Sequence, residues 1–431
     1  MSHIIIILCL FATSSASAAD YFLTPTGDDA LTGTSVESAW RSIVRVNATT
    51  LRPGDRVLFQ SGARFEGHLH LTAEDAGKVG APVSIASFGK GRATIVAGQG
   101  VGIQVESAGH IVISDLIVEG SGASTNSAHG ILCDNQLGGF QRLSNLRIED
   151  VSVKGFGLLG ILITGKRMGY EQVRVSRCEF ADNRRGGMEI AGRLPGDATE
   201  YAHADVRVSQ CTAHDNLGDP DYLANHSGSG IVLYQVEGGV IEQCRAWGNG
   251  GLCRSPHGGP VGIWVCESRR VSIQCCESFS NRTSNCDGGG FDLDGGCSEC
   301  VLQFNFSHDN DGPGLMAYTY EGASHADHGN VIRYNISARD SRISRVYAGL
   351  WVRNDGNGMS GLDVYGNLIW AGPNTAHAAY VDGGGIEAHI HHNLFVGSNG
   401  AMPLKIEKPS VALRFSHNLQ LGCQHERASA K

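Results

Sequence analysis

Four stretches of the sequence repeat one pattern: VRVSRCEFADN (173–183), VRVSQCTAHDN (206–216), GVIEQCRAWGN (239–249) and VSIQCCESFSN (271–281). Their cysteines fall at the same place in each copy, at spacings of 33, 33 and 32 residues. Each copy alternates apolar and polar residues and ends in Asn, which indicates short strands and tight turns. A repeat of this period predicts a solenoid, in which successive coils stack and pair strand to strand.

Two columns of side chains run along the predicted coils. The first contains Cys178, Cys211, Cys244, Cys276, Asn305, Asn335, Asn367, Asn393 and Asn418, with Asp115 and Asp150 upstream. The second contains Asn183, Asn216, Asn249, Asn281 and Asn310. Identical side chains about 4.8 Å apart on neighbouring coils form ladders. We therefore predict about eleven coils, with the aligned cysteines as small buried side chains.

The predicted fold is an all-β parallel β-helix that absorbs most of the 431 residues as one unit. Residues 1–19 are interpreted as a signal peptide, since Ile4–Phe11 is apolar and Ala16–Ala18 offers small residues for cleavage. Residues 20–71 are expected to form an N-terminal cap and the first strands, with one short helix near Glu37–Val46. Residues 72–421 then form the β-helix and 422–431 a polar tail.

The composition and the net charge exclude some classes of binding partner. The net charge is −9 and no basic cluster occurs, so we expect no nucleic-acid binding. No apolar run approaches the eighteen or so residues of a membrane span. We expect a secreted monomer, extracellular or periplasmic.

The sequence resembles the pectin-lyase-like, right-handed parallel β-helix superfamily. The resemblance is carried by the opening segment Pro25–Trp40, by Pro53–Phe59 (PGDRVLF) and by the coil repeats. It implies a right-handed β-helix and a secreted protein that acts on a polysaccharide. It does not specify the reaction, because the superfamily holds lyases, hydrolases, epimerases and non-enzymatic adhesins.

One strand in each coil follows the pattern Gly-apolar-x-apolar-x, as in GIVLY (230–234) and GFDLD (290–294). Side chains alternate along a strand, so the x positions point outward. The first outward column is predicted to be Leu132, Leu162, Glu189, Val232, Trp264, Asp292, Met316, Trp351 and Tyr380. The second is Asp134, Thr164, Ala191, Tyr234, Cys266, Asp294, Tyr318, Arg353 and Asp382.

These columns predict a carbohydrate-binding strip. Exposed aromatic rings stack on sugar faces, and carboxylates bind sugar hydroxyls. The expected substrate contacts are Trp264, Trp351, Tyr234, Tyr380, Glu189 and Asp382. Insertions at 193–204 and 218–229 are expected to wall the cleft.

Asp292 and Asp294 are the predicted catalytic pair, with Tyr318 and Arg353 as further residues of the site. Positions two apart on a strand lie about 6.6 Å apart, and an inverting glycosidase separates its acid and base by about 6.5–9.5 Å. One carboxyl, its pKa raised by its neighbour and by apolar surroundings, would protonate the leaving oxygen. The other would activate water, with no cofactor required.

A calcium-dependent lyase is the alternative. Asp287, Asp309 and Asp311 would then join the pair as oxygen ligands of Ca²⁺, and Arg353, His308 or Tyr318 would act as the base. The resemblance implies that a Lys or Arg acts as the base of a lyase. Lys405, however, is predicted to lie four coils from Asp292, about 19 Å away.

A non-catalytic glycan-binding or surface protein is the third possibility. A separate cluster, His389, His391 and His392, is interpreted as turn residues at the Asn393 corner.

Overall fold

The structure is a computed structural model, and it describes residues 17–195, 198–343, 346–372, 374–382, 384–398 and 400–422. Most of the predicted signal peptide and nearly all of the predicted tail therefore lie outside the described residues. The chain is an all-β parallel solenoid in which each coil contributes one strand to each of three sheets, confirming the predicted fold class.

Sheet 1 contains fifteen strands. They are β1 (Asp20–Leu23), β2 (Arg56–Gln60), β5 (Val83–Phe88), β8 (Ile111–Ser114), β11 (Leu143–Glu149), β14 (Tyr170–Ser176), β17 (His203–Ser209), β20 (Val236–Glu242), β23 (Arg269–Gln274), β26 (Val301–Gln303), β29 (Asp327–His328), β30 (Val331–Arg333), β33 (Met359–Tyr365), β36 (Ile386–His391) and β39 (Leu413–Ser416).

Sheet 2 contains twelve strands. They are β4 (Leu69–Leu71), β7 (Ile103–Glu106), β10 (Ile131–Asn135), β13 (Leu159–Gly165), β16 (Gly186–Ala191), β19 (Ser229–Tyr234), β22 (Val261–Cys266), β25 (Gly289–Leu293), β28 (Leu315–Thr319), β32 (Ala348–Asn354), β35 (His377–Asp382) and β38 (Met402–Glu407).

Sheet 3 contains thirteen strands. They are β3 (Arg64–Glu66), β6 (Ala93–Gly98), β9 (Leu116–Gly120), β12 (Ser152–Lys154), β15 (Glu179–Ala181), β18 (Thr212–His214), β21 (Arg245–Trp247), β24 (Glu277–Phe279), β27 (Phe306–His308), β31 (Ile336–Asp340), β34 (Leu368–Ala371), β37 (Leu394–Gly397) and β40 (Leu419–Gly422).

The short α-helix is α1 (Ile43–Asn47), which overlaps the end of the predicted helical segment. It begins late because Ser42 is its N-cap, where the hydroxyl accepts a hydrogen bond from the amide of Arg45. A 3₁₀ turn occupies Ala73–Asp75. Residues 20–71 also supply the first strand of every sheet, so the N-terminal segment is continuous with the solenoid. None of the described helices has the length and apolar character needed to cross a membrane.

The polar ladders join neighbouring coils. In the second column, Asn216 donates from its backbone N–H and its side-chain amide to Asn249 Oδ1, at 3.2 and 2.9 Å. The same pair of bonds repeats along the column, which continues beyond Asn310 to Asp340. Each amide satisfies backbone groups that would otherwise be buried without partners. The predicted registers of the Asn columns and of the four cysteines are confirmed.

The upstream alignment of Asp115 and Asp150 is wrong by one position. Glu149 pairs with Ser176, so Asp150 lies opposite Arg177, one residue before the cysteine column. Both aspartates and Arg177 have φ near +55°. This corner position requires the left-handed conformation, which Asp adopts more readily than most residues.

The glycine at the start of most strands of sheet 2 lies against the interior. A Cβ at Gly290 would come within 2.2 Å of Ser307 Oγ, and one at Gly262 within 2.0 Å of Ser278 Oγ. These glycines therefore let the strand pass over the ladder beneath it.

Candidate active site

A cleft of about 880 Å³ lies over the outward face of sheet 2. Strand pairing places Trp264 beside Asp292, Asp292 beside Met316 and Met316 beside Trp351. These pairings confirm the predicted outward columns. The cleft brings together nine of the predicted site residues, namely Glu189, Tyr234, Trp264, Asp287, Asp292, Asp294, Tyr318, Trp351 and Arg353.

The aromatic side chains are not the exposed strip that the sequence suggested. Trp264 and Trp351 are each only 6% exposed. The ring of His226 packs edge-on against Trp264 at 4.9 Å, and that of Tyr347 packs edge-on against Trp351 at 4.8 Å. The loops that carry His226 and Tyr347 therefore turn an open sheet face into a cleft.

Three polar atoms in the cleft wall have no hydrogen-bond partner among the described residues. They are Trp264 Nε1, Trp351 Nε1 and Asp292 Oδ1, and all three are buried. A buried polar group without a partner costs about 1–3 kcal/mol, so such groups are rare in a folded chain. Two N–H donors and one carboxyl oxygen of the cleft wall therefore lack a partner among the described residues.

Asp292 and Asp294 differ in their surroundings. Asp292 is 2% exposed. Burial, followed by the charges of Asp294 and Asp287, raises the pKa of Asp292 well above its usual range. Burial also raises the pKa of Asp294, to about 7, although the N–H of Gly295 stabilises its charged form by donating to Oδ1 at 2.7 Å. Asp292 therefore holds its proton more firmly than Asp294 does.

Two further acids line the cleft. Asp287 accepts hydrogen bonds from the N–H of Gly259 at 2.7 Å and from the hydroxyl of Tyr347 at 3.0 Å. Burial raises the pKa of Asp287 despite these donors. Burial also raises the pKa of Glu189 to about 7. Glu189 lies three coils from Asp292 along the same outward column.

Arg353 is held at the far end of the cleft by two aspartates. Its guanidinium donates to Asp355 at 2.6 Å and to Asp382 at 2.9 Å. Tyr318 also donates to Asp355, at 3.2 Å, and its ring stacks with that of Trp351 at 6.0 Å. Asp382 acts behind Arg353 and does not itself line the cleft.

His308 and Tyr380 do not line the cleft. His308 ends β27 in sheet 3, where its ring stacks on Phe279 at 4.9 Å and bonds Asp309 at 2.9 Å. Its position does not support a catalytic role. Tyr380 follows Trp351 in sheet 2 but hydrogen-bonds Glu407, one coil further on.

The three acids expected as extra calcium ligands do not converge on one site. Asp309 is bound by the guanidinium of Arg339 at 2.6 and 2.9 Å. Asp311 accepts from Arg282 at 3.2 Å. Of the three, only Asp287 lines the cleft.

Several cleft residues lie outside the repeat, and sequence reasoning missed them. They are Asn225, His226, His257, Tyr320, Tyr347 and Asp355. Burial lowers the pKa of His226 to about 4, so its ring is neutral. The insertion at 218–229 walls the cleft as expected, whereas none of the described residues of 193–204 lines it.

Comparisons with known proteins agree with this architecture. A protein-family model described as a right-handed β-helix region matches residues 129–331. The chain is therefore a right-handed parallel β-helix protein with the pectin-lyase-like fold.

The fold is similar to that of the GH136 lacto-N-biosidase from Eubacterium ramulus. The TM-score is 0.64 at 17% identity, and the match covers 93% of this chain and 68% of that one. A mannuronan C-5 epimerase A-module from Azotobacter vinelandii matches with a TM-score of 0.58 at 13% identity, over 86% of this chain and 92% of the module. Identities this low show the fold alone.

One sequence match is closer but short. The lacto-N-biosidase of Bifidobacterium longum subsp. longum is 39% identical over 82 residues. The match covers 18% of this chain and 5% of that protein.

Proposed function

We propose that this chain is a glycoside hydrolase that binds a carbohydrate in the cleft of sheet 2. The observation that carries the proposal is the unpartnered Oδ1 of buried Asp292, one coil from the unpartnered indole N–H of Trp264. Sugar hydroxyls both donate and accept hydrogen bonds, so a carbohydrate would satisfy both groups. The likeness to two lacto-N-biosidases supports the same class of enzyme.

Asp292 is the proposed general acid and Asp294 the general base. The Asp292 carboxyl gives its proton to the glycosidic oxygen as the bond to the anomeric carbon breaks. The Asp294 carboxylate takes a proton from the water whose oxygen bonds to that carbon. Exchange with solvent then returns each carboxyl to its starting state. The roles follow from surroundings that hold the proton on Asp292 and favour its loss from Asp294.

The charges in the cleft favour a neutral sugar. Glu189, Asp287 and Asp294 line the same cleft as Asp292, while the guanidinium of Arg353 is already held by two aspartates. A uronate would bring further negative charge to this surface. The lyase reaction therefore has less support than hydrolysis.

The test is cleavage of a glycan panel that begins with a lacto-N-biosidase substrate and includes uronate polymers. Inversion of the anomeric configuration, followed by proton NMR, is expected for the Asp292 and Asp294 pair. An ultraviolet-absorbing unsaturated product would favour the lyase instead. Binding of a glycan with no cleavage of any panel member would favour the non-catalytic alternative.

The variant Asp287→Asn tests whether Asp287, and not Asp292, acts as the general acid. We expect this variant to retain far more activity than Asp294→Asn, because both Asp287 oxygens already accept hydrogen bonds from the chain. If Asp287→Asn were as inactive as Asp294→Asn while Asp292→Asn kept its rate, Asp287 would replace Asp292 as the acid. The pH profile gives a second readout, since kcat/KM should rise with pH as Asp294, whose pKa is about 7, becomes ionised.

A further inference from the structure

Three side chains of types that can ligate a metal ion lie together on the outward face of sheet 1. The cleft lies on a different sheet, sheet 2. Strand pairing places Asp363 of β33 beside His389 of β36. His391 follows two positions later on the same strand, so it projects from the same face as His389. The alternate residue Ile390 points inward and is fully buried. The interpretation of His389 and His391 as turn residues is therefore wrong, and only His392 follows the strand.

The three side chains are close enough to share one ion. One ligand atom from each lies within 4.8 Å of the other two. His391 Nε2 is 3.0 Å from Asp363 Oδ1, and the rings of His389 and His391 stack at 4.1 Å. Ligand atoms at about 2.0–2.1 Å from a tetrahedral Zn²⁺ lie roughly 3.3 Å apart. Small rotations of side chains on an open surface reach that arrangement.

Outer hydrogen bonds orient both rings. His391 Nδ1 lies 2.8 Å from Nδ1 of His392, whose ring stacks on His417 at 4.8 Å. His389 Nε2 lies 2.9 Å from Ser416 Oγ on the next coil. Metal-binding histidines usually donate their second ring N–H to such a partner, which sets the direction of the metal-facing nitrogen.

We propose that Asp363, His389 and His391 bind a divalent transition cation of the Zn²⁺ class, with water in the remaining positions. Two imidazoles and one carboxylate suit Zn²⁺, Ni²⁺ or Cu²⁺, whereas Ca²⁺ and Mg²⁺ prefer oxygen ligands throughout. The ion joins β33 to β36 and so links two successive coils. It is independent of the proposed reaction in the cleft.

The direct test titrates the untagged chain with Zn²⁺ by calorimetry at mildly alkaline pH, because metal binding requires neutral imidazole. One ion per chain is expected, and it should raise the melting temperature. His389→Ala and His391→Ala should weaken binding at least tenfold, and Ca²⁺ or Mg²⁺ should give no saturable heat. The matched control is His328→Ala, which removes an exposed histidine bonded to Ser360 in the same sheet and should change nothing.

Two further variants make the test sharper. Arg414 pairs with His389 on the next coil and places a cation beside the site, so Arg414→Gln should tighten Zn²⁺ binding. Replacing His392 by Ala should weaken binding by about tenfold, as expected for an outer hydrogen-bond partner. Electron paramagnetic resonance of the Cu²⁺-loaded chain should show two nitrogen ligands.

Three outcomes would overturn the site. They are the absence of saturable Zn²⁺ binding, unchanged binding in the His389→Ala/His391→Ala double variant, and equal loss of binding in His328→Ala. Circular dichroism of each variant verifies that the β-helix is intact.

Discussion

Two buried aspartates that lie two coils apart have opposite hydrogen-bonding states. Asp340 ends the interior Asn column, where Oδ1 accepts from the backbone and side-chain amides of Asn310 and Oδ2 accepts from Ser337 at 2.7 Å. Asp292 is nearly as buried but has an oxygen with no partner among the described residues. Burial raises the pKa of both carboxyls. A raised pKa therefore does not by itself distinguish these two aspartates, whereas the missing partner does.

The largest expected effect tests the two aspartates by the same substitution. Asp292→Asn should lower kcat by about 10²–10⁴-fold, as loss of a general acid does, without lowering the melting temperature. Asp340→Asn should leave kcat unchanged, because Asn already fills this position in the preceding coils. Steady-state kinetics on a cleaved substrate measures both. A fully active Asp292→Asn would remove the basis for the contrast.

The next effect is on stability and belongs to the interior column. Asn249→Ala leaves the backbone and side-chain amides of Asn216 and the carbonyl of Ala213 without their acceptor or donor. The free energy of unfolding should fall by about 3 kcal/mol, since each buried group left unpaired costs about 1–3 kcal/mol. Urea unfolding measures it. Trp264→Phe, which removes an N–H with no internal partner, is the matched variant and should change stability by less than about 1 kcal/mol.

Asp340 should make stability depend on pH in a predictable direction. Its pKa is about 6 in the folded chain and about 3.9 when unfolded. Between these values the folded chain holds a proton that the unfolded chain has lost. The contribution of Asp340 to the free energy of unfolding is therefore greatest below pH 4 and falls as pH rises through 6. The full effect is about 3 kcal/mol. Asp294 and Asp327 act in the same direction, with pKa values of about 7 and 8.

The difference between wild type and Asp340→Asn isolates this contribution. Asn cannot ionise, so the variant should gain stability relative to wild type as pH rises from 4 to about 7. Urea unfolding at several pH values provides the measurement. A constant difference across that range would mean that Asp340 does not titrate there.

The smallest effect is expected in the cysteine column. Cys211 N–H lies 3.5 Å from Cys244 Sγ, and the thiol donates to Glu242 O at 3.3 Å. Both contacts are weaker than the amide bonds of Asn249. Cys244→Ala should therefore cost about 1 kcal/mol, well below Asn249→Ala in the same coil. Equal costs would show that the two columns contribute alike.

The period of the repeat was enough to predict the fold and the facing of the strands. Because side chains alternate strictly along a strand, the pairing of Trp264 with Asp292 and of Met316 with Trp351 followed from the sequence. The alignment of Asp150 was wrong by one position because the residue types found at the left-handed corner resemble those of the ladder column. The pattern does not distinguish the two positions.

The walls of the cleft were not predictable in the same way. His226 and Tyr347 lie in loops between sheet 3 and sheet 2 whose length differs from coil to coil. The insertion at 218–229 was expected to wall the cleft, but no register places the rings of His226 and Tyr347 over Trp264 and Trp351. His308 was misplaced because the chain passes through β26 of sheet 1 between β25 of sheet 2 and β27 of sheet 3. Residues that are close in the sequence can therefore lie in different sheets.

The repeated amide bonds have a consequence for how such a chain changes through evolution. Each coil meets the next through the same contacts, whether the rung is Asn216 on Asn249 or Asn281 on Asn310. A whole coil can therefore be duplicated or deleted without redesigning the interior, because both new neighbours already fit. The length of the binding surface can grow by whole coils, while chemistry changes separately through single outward positions.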